Sequence, residues 1–280
     1  MNVLSLFDGM SCGQLALQKA GIKYDNYFAS EIDKWAIQIT QKNFPDTVQL
    51  GDVIRWADWH LPKIDLLIGG SPCQGFSVAG AGLNFSDHRS ELFFRYVDVL
   101  KRLKPKYFLL ENVRMKKEWK DIISKHLRVE PIEINSALVS AQNRVRLYWT
   151  NIPNITQPTD RNIFWSDVYE KNASAFYYTD KSFNCINKNL KRRNKYKEYV
   201  STDNIKMQML EASHYKGYSN ERCFGIKDTN GIRYISVIEC ERLQTVPDNY
   251  TEGVSNTQRY KMLGNGWTVD VIAHILKNIL

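Results

Sequence analysis

Short apolar runs that end in polar or turn-forming residues recur through the first half of the chain, with helix-type patterns between them. The clearest is residues 65–70, an apolar run that ends in paired glycines and predicts a short buried strand. Between residues 90 and 103 the apolar positions follow helical spacing, and Pro105 predicts the end of that helix. This alternation indicates an α/β fold with a doubly wound, mostly parallel sheet. The other predicted strands are residues 2–7, 27–31, 48–50 and 107–110.

The ends of the first three predicted strands carry the groups that a nucleotide-like ligand requires. A glycine-bearing turn, residues 8–13, follows the first strand and leads into a helical pattern. Its spacing is not G-x-G-x-x-G, so a dinucleotide is not indicated. Glu31 ends the second strand, where a carboxylate accepts hydrogen bonds from ribose hydroxyls. Asp52 follows the third strand, at a position suited to meeting an adenine amino group.

The tetrapeptide Ser71-Pro72-Cys73-Gln74 places one thiol directly after the paired glycines. A cysteine at the carboxyl end of a parallel strand lies where open α/β sheets bind their ligands, and a thiol is a strong nucleophile. A buried, inert cysteine is the alternative, and Cys73 alone does not separate the two. Glu111 ends the strand at residues 107–110 and reaches the same edge of the sheet. A carboxyl group beside a thiol favours catalysis, although Glu111 alone also fits a simple ion pair with an arginine.

Composition restricts the class of protein. A chain of 280 residues can bury a sizeable core in one or two domains. We expect no membrane span and no signal peptide, because neither pattern occurs. Five cysteines without paired spacing indicate reduced thiols in the cytosol, and no metal site is predicted. A net charge of +8 favours a polyanionic partner.

The order of these motifs resembles that of the DNA (cytosine-5) methyltransferases, over about 200 residues with 153–233 unmatched. Some segments look especially like the animal de novo enzymes, whereas the short length looks bacterial or viral. The matching motifs are Phe7-Asp8-Gly9, Glu31, Asp52, Ser71-Pro72-Cys73-Gln74, Glu111-Asn112-Val113, Gln142-Asn143-Arg144-Val145-Arg146 and Gly264-Asn265-Gly266.

The resemblance implies a Rossmann-like fold of the class I S-adenosylmethionine-dependent methyltransferases and a covalent mechanism. Cys73 is then the nucleophile that attacks carbon 6 of a flipped cytosine. Glu111 would hold the ring at N3 and the exocyclic amine, while Arg144 and Arg146 would stabilise O2, the thiolate or a nearby phosphate. S-adenosyl-L-homocysteine is the expected product of the cofactor. The implied cofactor-binding residues are Phe7, Asp8, Gly9, Ser11, Gly13, Glu31, Ile32, Asp52, Val53, Pro72, Leu92, Asn265, Trp267 and Val269.

The resemblance also divides the chain into a discontinuous catalytic domain, residues 1–155 and 236–280, and a small irregular target recognition region, residues 156–235. Positive charge is concentrated in residues 151–235, which contain 14 Lys or Arg against 9 Asp or Glu. Lysine and arginine contacts with phosphates supply much of the affinity for nucleic acid. We therefore expect this region to bind double-stranded DNA. The predicted DNA-binding residues are Gln74, Ser77, Gln142, Lys191, Arg192, Arg193 and Lys195.

Two other functions remain open on the sequence alone. A related branch of the family methylates transfer RNA with much the same motifs, but the basic, asparagine-rich recognition region favours DNA. A non-catalytic DNA-binding homologue is disfavoured, because Cys73, Glu111, Arg144 and Arg146 are all retained. The expected setting is the cytoplasm of a bacterial or phage-infected cell, at the nucleoid. A restriction endonuclease is a candidate partner, and the sequence does not predict an oligomeric state.

Overall fold

The protein is described by a computed structural model. The residues that it describes are 1–72, 88–171, 173, 176–182, 184, 188, 199–200, 205–219, 225–228 and 230–279. The predicted site residues that lie outside these ranges are Cys73, Gln74, Ser77, Lys191, Arg192, Arg193 and Lys195.

The chain divides into two compact units. The first comprises Met1–Asn135, Val145–Pro158 and Val271–Leu280, and the second comprises Ser136–Arg144 and Thr159–Asp270. The division of the chain into a catalytic domain and a recognition region is drawn at other boundaries and stays a prediction.

A seven-stranded sheet forms the centre of the first unit, in the order β3-β2-β1-β4-β5-β8-β6. All neighbours from β3 to β5 are parallel, whereas β8 is antiparallel to both β5 and β6. The predicted mostly parallel α/β sheet is therefore confirmed. The strands of the protein are β1 (Asn2–Leu6), β2 (Asn26–Ser30), β3 (Val48–Gln49), β4 (Leu66–Gly70), β5 (Tyr107–Val113), β6 (Ile132–Asn135), β7 (Gln142–Asn143), β8 (Val145–Thr150), β9 (Tyr199–Val200), β10 (Met207–Gln208), β11 (Gly225–Asp228) and β12 (Gly231–Tyr234).

The helices begin and end close to the predicted positions. The predicted helix of residues 90–103 is α3, which ends at Leu103, two residues before Pro105. The α-helices are α1 (Cys12–Ala20), α2 (Lys34–Asn43), α3 (His88–Leu103), α4 (Lys117–Leu127), α5 (Trp165–Val168), α6 (Val237–Leu243), α7 (Asn256–Asn265) and α8 (Val269–Leu276). Short 3₁₀ helices cover Val53–Asp58, Ser136–Leu138, Ala212–Ser219 and Lys277–Ile279.

The hydrophobic core of the first unit lies between the sheet and its helices. Leu4, Leu67 and Leu110 come from neighbouring strands, and Phe93 and Tyr96 come from α3; all are completely buried. The parallel strands are apolar at nearly every position because helices cover both faces of such a sheet. This packing fixes the ends of β1, β2, β4 and β5, from which the candidate site is built.

The second unit contains smaller pieces of sheet. Strands β12, β11 and β9 form a three-stranded sheet, and β7 pairs with β10 in parallel. Helix α6 begins at Ser236, whose hydroxyl accepts a hydrogen bond from the Glu239 N–H, while the Glu239 carboxylate accepts one from the Ser236 N–H. This reciprocal capping box is a specific start signal for a helix.

Candidate active site

The strand order reverses between β1 and β4, since β2 and β3 lie to one side and β5 to the other. In open α/β sheets, ligands bind outside the carboxyl ends of the strands at such a switch point. The turn after β1 and the segment after β4 both leave the sheet there. These segments are the Phe7-Asp8-Gly9 and Ser71-Pro72-Cys73 motifs of the sequence.

The turn between β1 and α1 has an unusual backbone. Phe7, Gly9 and Ser11 all have left-handed conformations, with φ values of 58°, 61° and 62°. No heavy atom lies within 4 Å of a Cβ built on Gly9, so this position needs glycine for its conformation and not for space. The turn closes with a hydrogen bond from the Ser11 N–H to the Asp8 carbonyl oxygen, and α1 follows at once.

Glu31 joins this turn to the end of β2. Its Oε2 accepts a hydrogen bond from the Gly9 N–H at 2.7 Å. Its Oε1 accepts two more, from the N–H groups of Ile32 and Asp33, both at 2.8 Å. A carboxylate has about four acceptor positions, so these three bonds leave capacity for a ligand hydroxyl. Glu31 thus shapes the glycine turn and still offers an acceptor.

Asp8 lies beneath the turn and is largely buried. Its Oδ1 accepts a hydrogen bond from the Tyr27 hydroxyl at 2.7 Å, and among the described residues Oδ2 has no hydrogen-bond partner. Burial raises the pKa of Asp8 to about 6, against the lowering effect of hydroxyls from Ser5, Tyr27 and Ser11. The site therefore contains an acid that titrates near neutral pH and has one unsatisfied oxygen.

The end of β3 contributes a second acid beside apolar surface. The Asp52 carboxylate accepts a hydrogen bond from the Ile54 N–H at 3.0 Å and caps the 3₁₀ helix Val53–Asp58. Ile32 directly follows Glu31 in the chain. Its side chain is 73% exposed, which is unusual for isoleucine. An exposed apolar side chain next to hydrogen-bonding acids suits the flat face of an aromatic ligand.

The segment that leads to Cys73 is tied to β5. Gly70 of β4 and Glu111 of β5 are partners in the parallel register. The next residue of β5, Asn112, donates from Nδ2 to the Ser71 hydroxyl at 3.1 Å and lies 3.4 Å from the Ser71 carbonyl oxygen. Ser71 and Asn112 are both buried, so this link holds the chain two residues before Cys73.

Glu111 forms an ion pair with Arg146 of β8. The distance from Arg146 Nε to Glu111 Oε1 is 3.0 Å, and the two side chains are 9% and 11% exposed. Antiparallel pairing between β5 and β8 brings the two residues together. The pair places a carboxylate, held by a fixed cation, at the end of the strand next to β4. Two of the predicted catalytic residues, Glu111 and Arg146, therefore meet in the first unit.

Arg144 has different surroundings, within the second unit. Its Nη1 donates to the Leu210 carbonyl oxygen at 3.0 Å, and its Nη2 donates to those of Gly264 and Gly266 at 3.2 and 2.9 Å. Arg144 is 3% exposed. These contacts join the Gly264-Asn265-Gly266 motif to the segment around residue 210. The geometry gives Arg144 a positioning role, and its predicted contact with the base stays a prediction.

Gln142 is completely buried in the second unit. Its Nε2 donates to the Leu243 carbonyl oxygen at 2.6 Å and to the Gln244 side-chain oxygen at 2.9 Å. Its Oε1 accepts a bond from the Leu210 N–H at 3.3 Å. Both ends of the amide thus bond inside the protein, which gives Gln142 a structural role, and its predicted contact with DNA stays a prediction.

The remaining predicted cofactor residues differ in exposure. Phe7, Pro72, Leu92 and Trp267 are partly buried, Gly13, Val53 and Val269 are buried, and Asn265 is exposed. Leu92 packs beside the core of the first unit. Asn265, Trp267 and Val269 belong to the second unit. The cofactor role of the set stays a prediction.

Sequence reasoning missed two residues that shape the site. Asn112 was recognised within the Glu-Asn-Val motif, yet its bonds to Ser71 were not anticipated. Tyr27 gave no signal, because an aromatic residue in a strand is ordinary. The hydrogen bond from the Tyr27 hydroxyl to Asp8 becomes evident only once the pairing of β1 with β2 is known.

Two classes of feature are absent from the part of the chain that the structure describes. No helix there is long and apolar enough to cross a membrane. Likewise, no group of three or more His, Cys, Asp or Glu side chains within the described ranges is arranged to hold a metal ion.

The fold is a Rossmann-like α/β sheet, and comparison with solved structures agrees. The Entamoeba histolytica methyltransferase EhMeth aligns with 100% of this chain and 97% of its own, at a TM-score of 0.78 and 19% identity. The S. pombe Dnmt2 methyltransferase aligns with 99% of this chain and 97% of its own, at 0.75 and 18%. Identities this low establish the fold alone.

Sequence comparison defines the family. The family described as C-5 cytosine-specific DNA methylase matches residues 1–174 and 115–280. The type II methyltransferase M1.ScrFI of Lactococcus lactis subsp. cremoris is 33% identical over 99% of this chain and 77% of its own length. The orphan methyltransferase M.SPRI of Bacillus phage SPR is 36% identical over 66% of this chain and 46% of its own. The chain belongs to the C-5 cytosine-specific DNA methylase family, and its enzyme class is DNA cytosine-5 methyltransferase.

Proposed function

We propose that this protein transfers a methyl group from S-adenosylmethionine to carbon 5 of a cytosine within a short specific sequence of double-stranded DNA, through a covalent bond between Cys73 and carbon 6. The observation that carries the proposal is the ion pair of Glu111 on β5 with Arg146 on β8, because β5 pairs with β4, the strand that precedes Cys73. The Asn112–Ser71 bonds support it, because they fix the chain immediately before the thiol.

The residues after β1 and β2 suit S-adenosylmethionine. The unsatisfied Asp8 Oδ2 would accept the ammonium group, and Glu31 would accept from the ribose hydroxyls. The exposed Ile32 would cover the adenine ring. The N-terminus of α1, which has no side-chain cap at Ser11, favours a carboxylate. When bound, the cofactor supplies an electrophilic methyl group on a sulfonium.

Covalent catalysis overcomes the low reactivity of carbon 5 of cytosine. Carbon 5 of cytosine is a poor nucleophile until a thiolate adds to carbon 6, which moves electron density onto carbon 5. Cys73 would form that bond, while Glu111 shares a proton with N3 as charge builds on the ring. Arg146 holds the Glu111 carboxylate and balances its charge. After methylation, loss of the carbon 5 proton expels Cys73 and restores the ring.

The target carbons lie inside the base stack of a duplex, so the enzyme must flip the cytosine out. The substrate is DNA in a bacterial or phage-infected cell, consistent with the relatives named as type II and orphan methyltransferases. A restriction endonuclease that cleaves the same sequence is the proposed partner where the enzyme belongs to a restriction–modification pair.

Methylation mapping in cells that express the protein tests this function. Bisulfite sequencing of the genomic DNA is compared among the wild type, Cys73→Ala and Cys240→Ala. Cys240 is a buried cysteine on α6 of the second unit and serves as the matched cysteine control. Transfer RNA from the same cells is sequenced in parallel.

We expect cytosine-5 methylation within one short DNA sequence in the wild type and in Cys240→Ala, and none in Cys73→Ala. Methylation of transfer RNA with unmodified DNA would contradict the DNA substrate. Full DNA methylation in Cys73→Ala would contradict the covalent mechanism.

A further inference from the structure

One exposed aromatic side chain in the second unit is accompanied by two lysines. Tyr215 is 38% exposed and lies on the 3₁₀ helix Ala212–Ser219. The ammonium groups of Lys216 and Lys261 lie over its ring, at 5.8 and 5.5 Å from the centroid. Both distances are within the range of a cation–π contact. We call Tyr215, Lys216 and Lys261 the Tyr215 platform.

The elements that carry the platform are closely packed, with backbone directly on backbone. A Cβ built on Gly264 of α7 would lie 2.2 Å from the Ala212 nitrogen and 2.2 Å from the Glu211 carbonyl carbon. No side chain therefore separates α7 from the start of the 3₁₀ helix. Arg144 adds bonds to the carbonyl oxygens of Leu210 and Gly264, on either side of this contact. The two elements that carry Lys216 and Lys261 are thus packed directly against each other.

The platform also lies next to a motif of the family. Lys261 and Asn265 are four residues apart on α7, so they lie on the same helix face, one turn apart. Asn265 is exposed and belongs to the Gly264-Asn265-Gly266 motif. The positive charge of the platform therefore lies close to a segment of the second unit that the resemblance assigns to cofactor binding.

The chemistry of the platform suits a nucleic-acid backbone. The Lys261 ammonium has three N–H donors, and its contact with the Tyr215 ring uses none of them in a hydrogen bond. A single exposed tyrosine needs no explanation, whereas an exposed ring with two ammonium groups over it brings positive charge together at the surface, which is the charge that a phosphate backbone requires.

We propose that the Tyr215 platform binds the sugar–phosphate backbone of the double-stranded DNA substrate. The proposal rests on the proposed function, because it assigns a further part of the same enzyme to its substrate. It adds Tyr215, Lys216 and Lys261 to the DNA-binding residues predicted from the sequence, none of which belongs to the platform.

Binding of a fluorescent DNA duplex of mixed sequence tests the platform, at salt concentrations between about 50 and 200 mM. The variants are Lys261→Ala, Tyr215→Ala and the conservative Lys261→Arg. Lys106→Ala is the matched control: Lys106 is exposed and lies over the Tyr107 ring at 4.9 Å, at the amino end of β5. Steady-state methylation assays with each variant give the KM for DNA, the kcat and the KM for the cofactor as separate values.

Loss of one phosphate contact should weaken duplex binding roughly threefold to tenfold and reduce the slope of log K against log salt by about 0.9. We expect this for Lys261→Ala, with a raised KM for DNA, unchanged kcat and recovery in Lys261→Arg. Tyr215→Ala should weaken binding less, because Lys216 and Lys261 remain and lose only their contact with the ring. Lys106→Ala should match the wild type in both slope and KM.

A salt slope in Lys261→Ala equal to that of the wild type would overturn the proposal, and so would an equal loss in Lys106→Ala. Failure of the proposed function has a different signature, since the wild type itself would then methylate no DNA duplex. If the wild type methylates DNA but the platform variants bind DNA as the wild type does, the proposal for the Tyr215 platform is overturned and the proposed function is not.

Discussion

Asp8 shows how a single residue acquires its chemistry from its surroundings. In the sequence it is one letter of a Phe-Asp-Gly motif. In the fold it lies buried against Tyr27 with one oxygen unsatisfied, and burial raises its pKa to about 6. A group of this kind weakens the folded state when it is ionised, and a cationic ligand relieves the penalty. A cationic group bound beside Asp8 would therefore lower the pKa of its carboxyl.

The pH dependence of stability should reveal Asp8. Its pKa in the folded state is above the ordinary value of 3.8, so the folded protein binds the proton more tightly than the unfolded chain does. Stability should consequently fall as the pH rises from about 4 to about 6, by at most about 3 kcal/mol, and stay lower above that range. Asp8→Asn should lack this fall. Urea unfolding of both proteins across that range measures the difference, and identical pH profiles would contradict it.

The Glu111–Arg146 pair is the second residue-scale feature that can be tested. Glu111→Gln keeps the shape of the side chain but loses the charge and the proton-sharing group. We expect single-turnover methyl transfer to slow by about 100-fold or more, with duplex binding retained. Glu133→Gln is the matched control, because Glu133 also pairs with an arginine, Arg114, but at an exposed position. Equal rates in the wild type and Glu111→Gln would remove Glu111 from the mechanism.

At the scale of elements, the contact of α7 with the 3₁₀ helix Ala212–Ser219 depends on one missing side chain. Gly264→Ala would force a Cβ to 2.2 Å from backbone atoms that cannot move independently. We expect a loss of about 3 kcal/mol in the free energy of unfolding, at the upper end of overpacking effects. Gly21→Ala is the comparison: Gly21 has a φ of 74° but open space around it, so the cost should be about 1 kcal/mol. Urea denaturation measures both, and equal losses would contradict the packing argument.

Helix α6 is anchored by a buried ion pair as well as by its capping box. Arg233 and Glu239 are both completely buried, with Nη2 and Oε1 at 2.6 Å. Removing one charge leaves the other without compensation, so Glu239→Gln should cost about 3 kcal/mol or more. Asp248→Asn breaks the exposed pair with Arg242 on the same helix and should cost less than about 1 kcal/mol. Chemical denaturation of the two variants tests the contrast, and a cost for Glu239→Gln as small as that for Asp248→Asn would contradict it.

At the scale of the whole molecule, the local sequence pattern predicted the features that depend on residues close together in the chain. The apolar runs gave the strands of the parallel sheet, and Pro105 marked the end of α3. Glu31 and Asp52 were recognised because a strand end is itself a local signal. These features need only the alternation of apolar and polar residues and the conformational limits of glycine and proline.

Long-range contacts account for what sequence reasoning could not anticipate. The partners of Arg144 in the fold lie 66 to 122 positions away in the chain. Gln142 is buried and bonds to Leu243 and Gln244, which are about 100 positions away. Neither burial nor a backbone carbonyl partner has a sequence signature at such separation.

The most direct test of the central claim is to trap the covalent bond to Cys73. Once methylation mapping has identified the methylated sequence, a DNA duplex of that sequence is synthesised with 5-fluorocytosine at the target position. Fluorine on carbon 5 leaves no proton to be lost after methyl transfer, so the Cys73 bond cannot be released. Mass spectrometry of the digested protein should then find the nucleotide on the peptide that contains Cys73, only when S-adenosylmethionine is present. An adduct on another residue, or none while the unsubstituted duplex is methylated, would contradict the account.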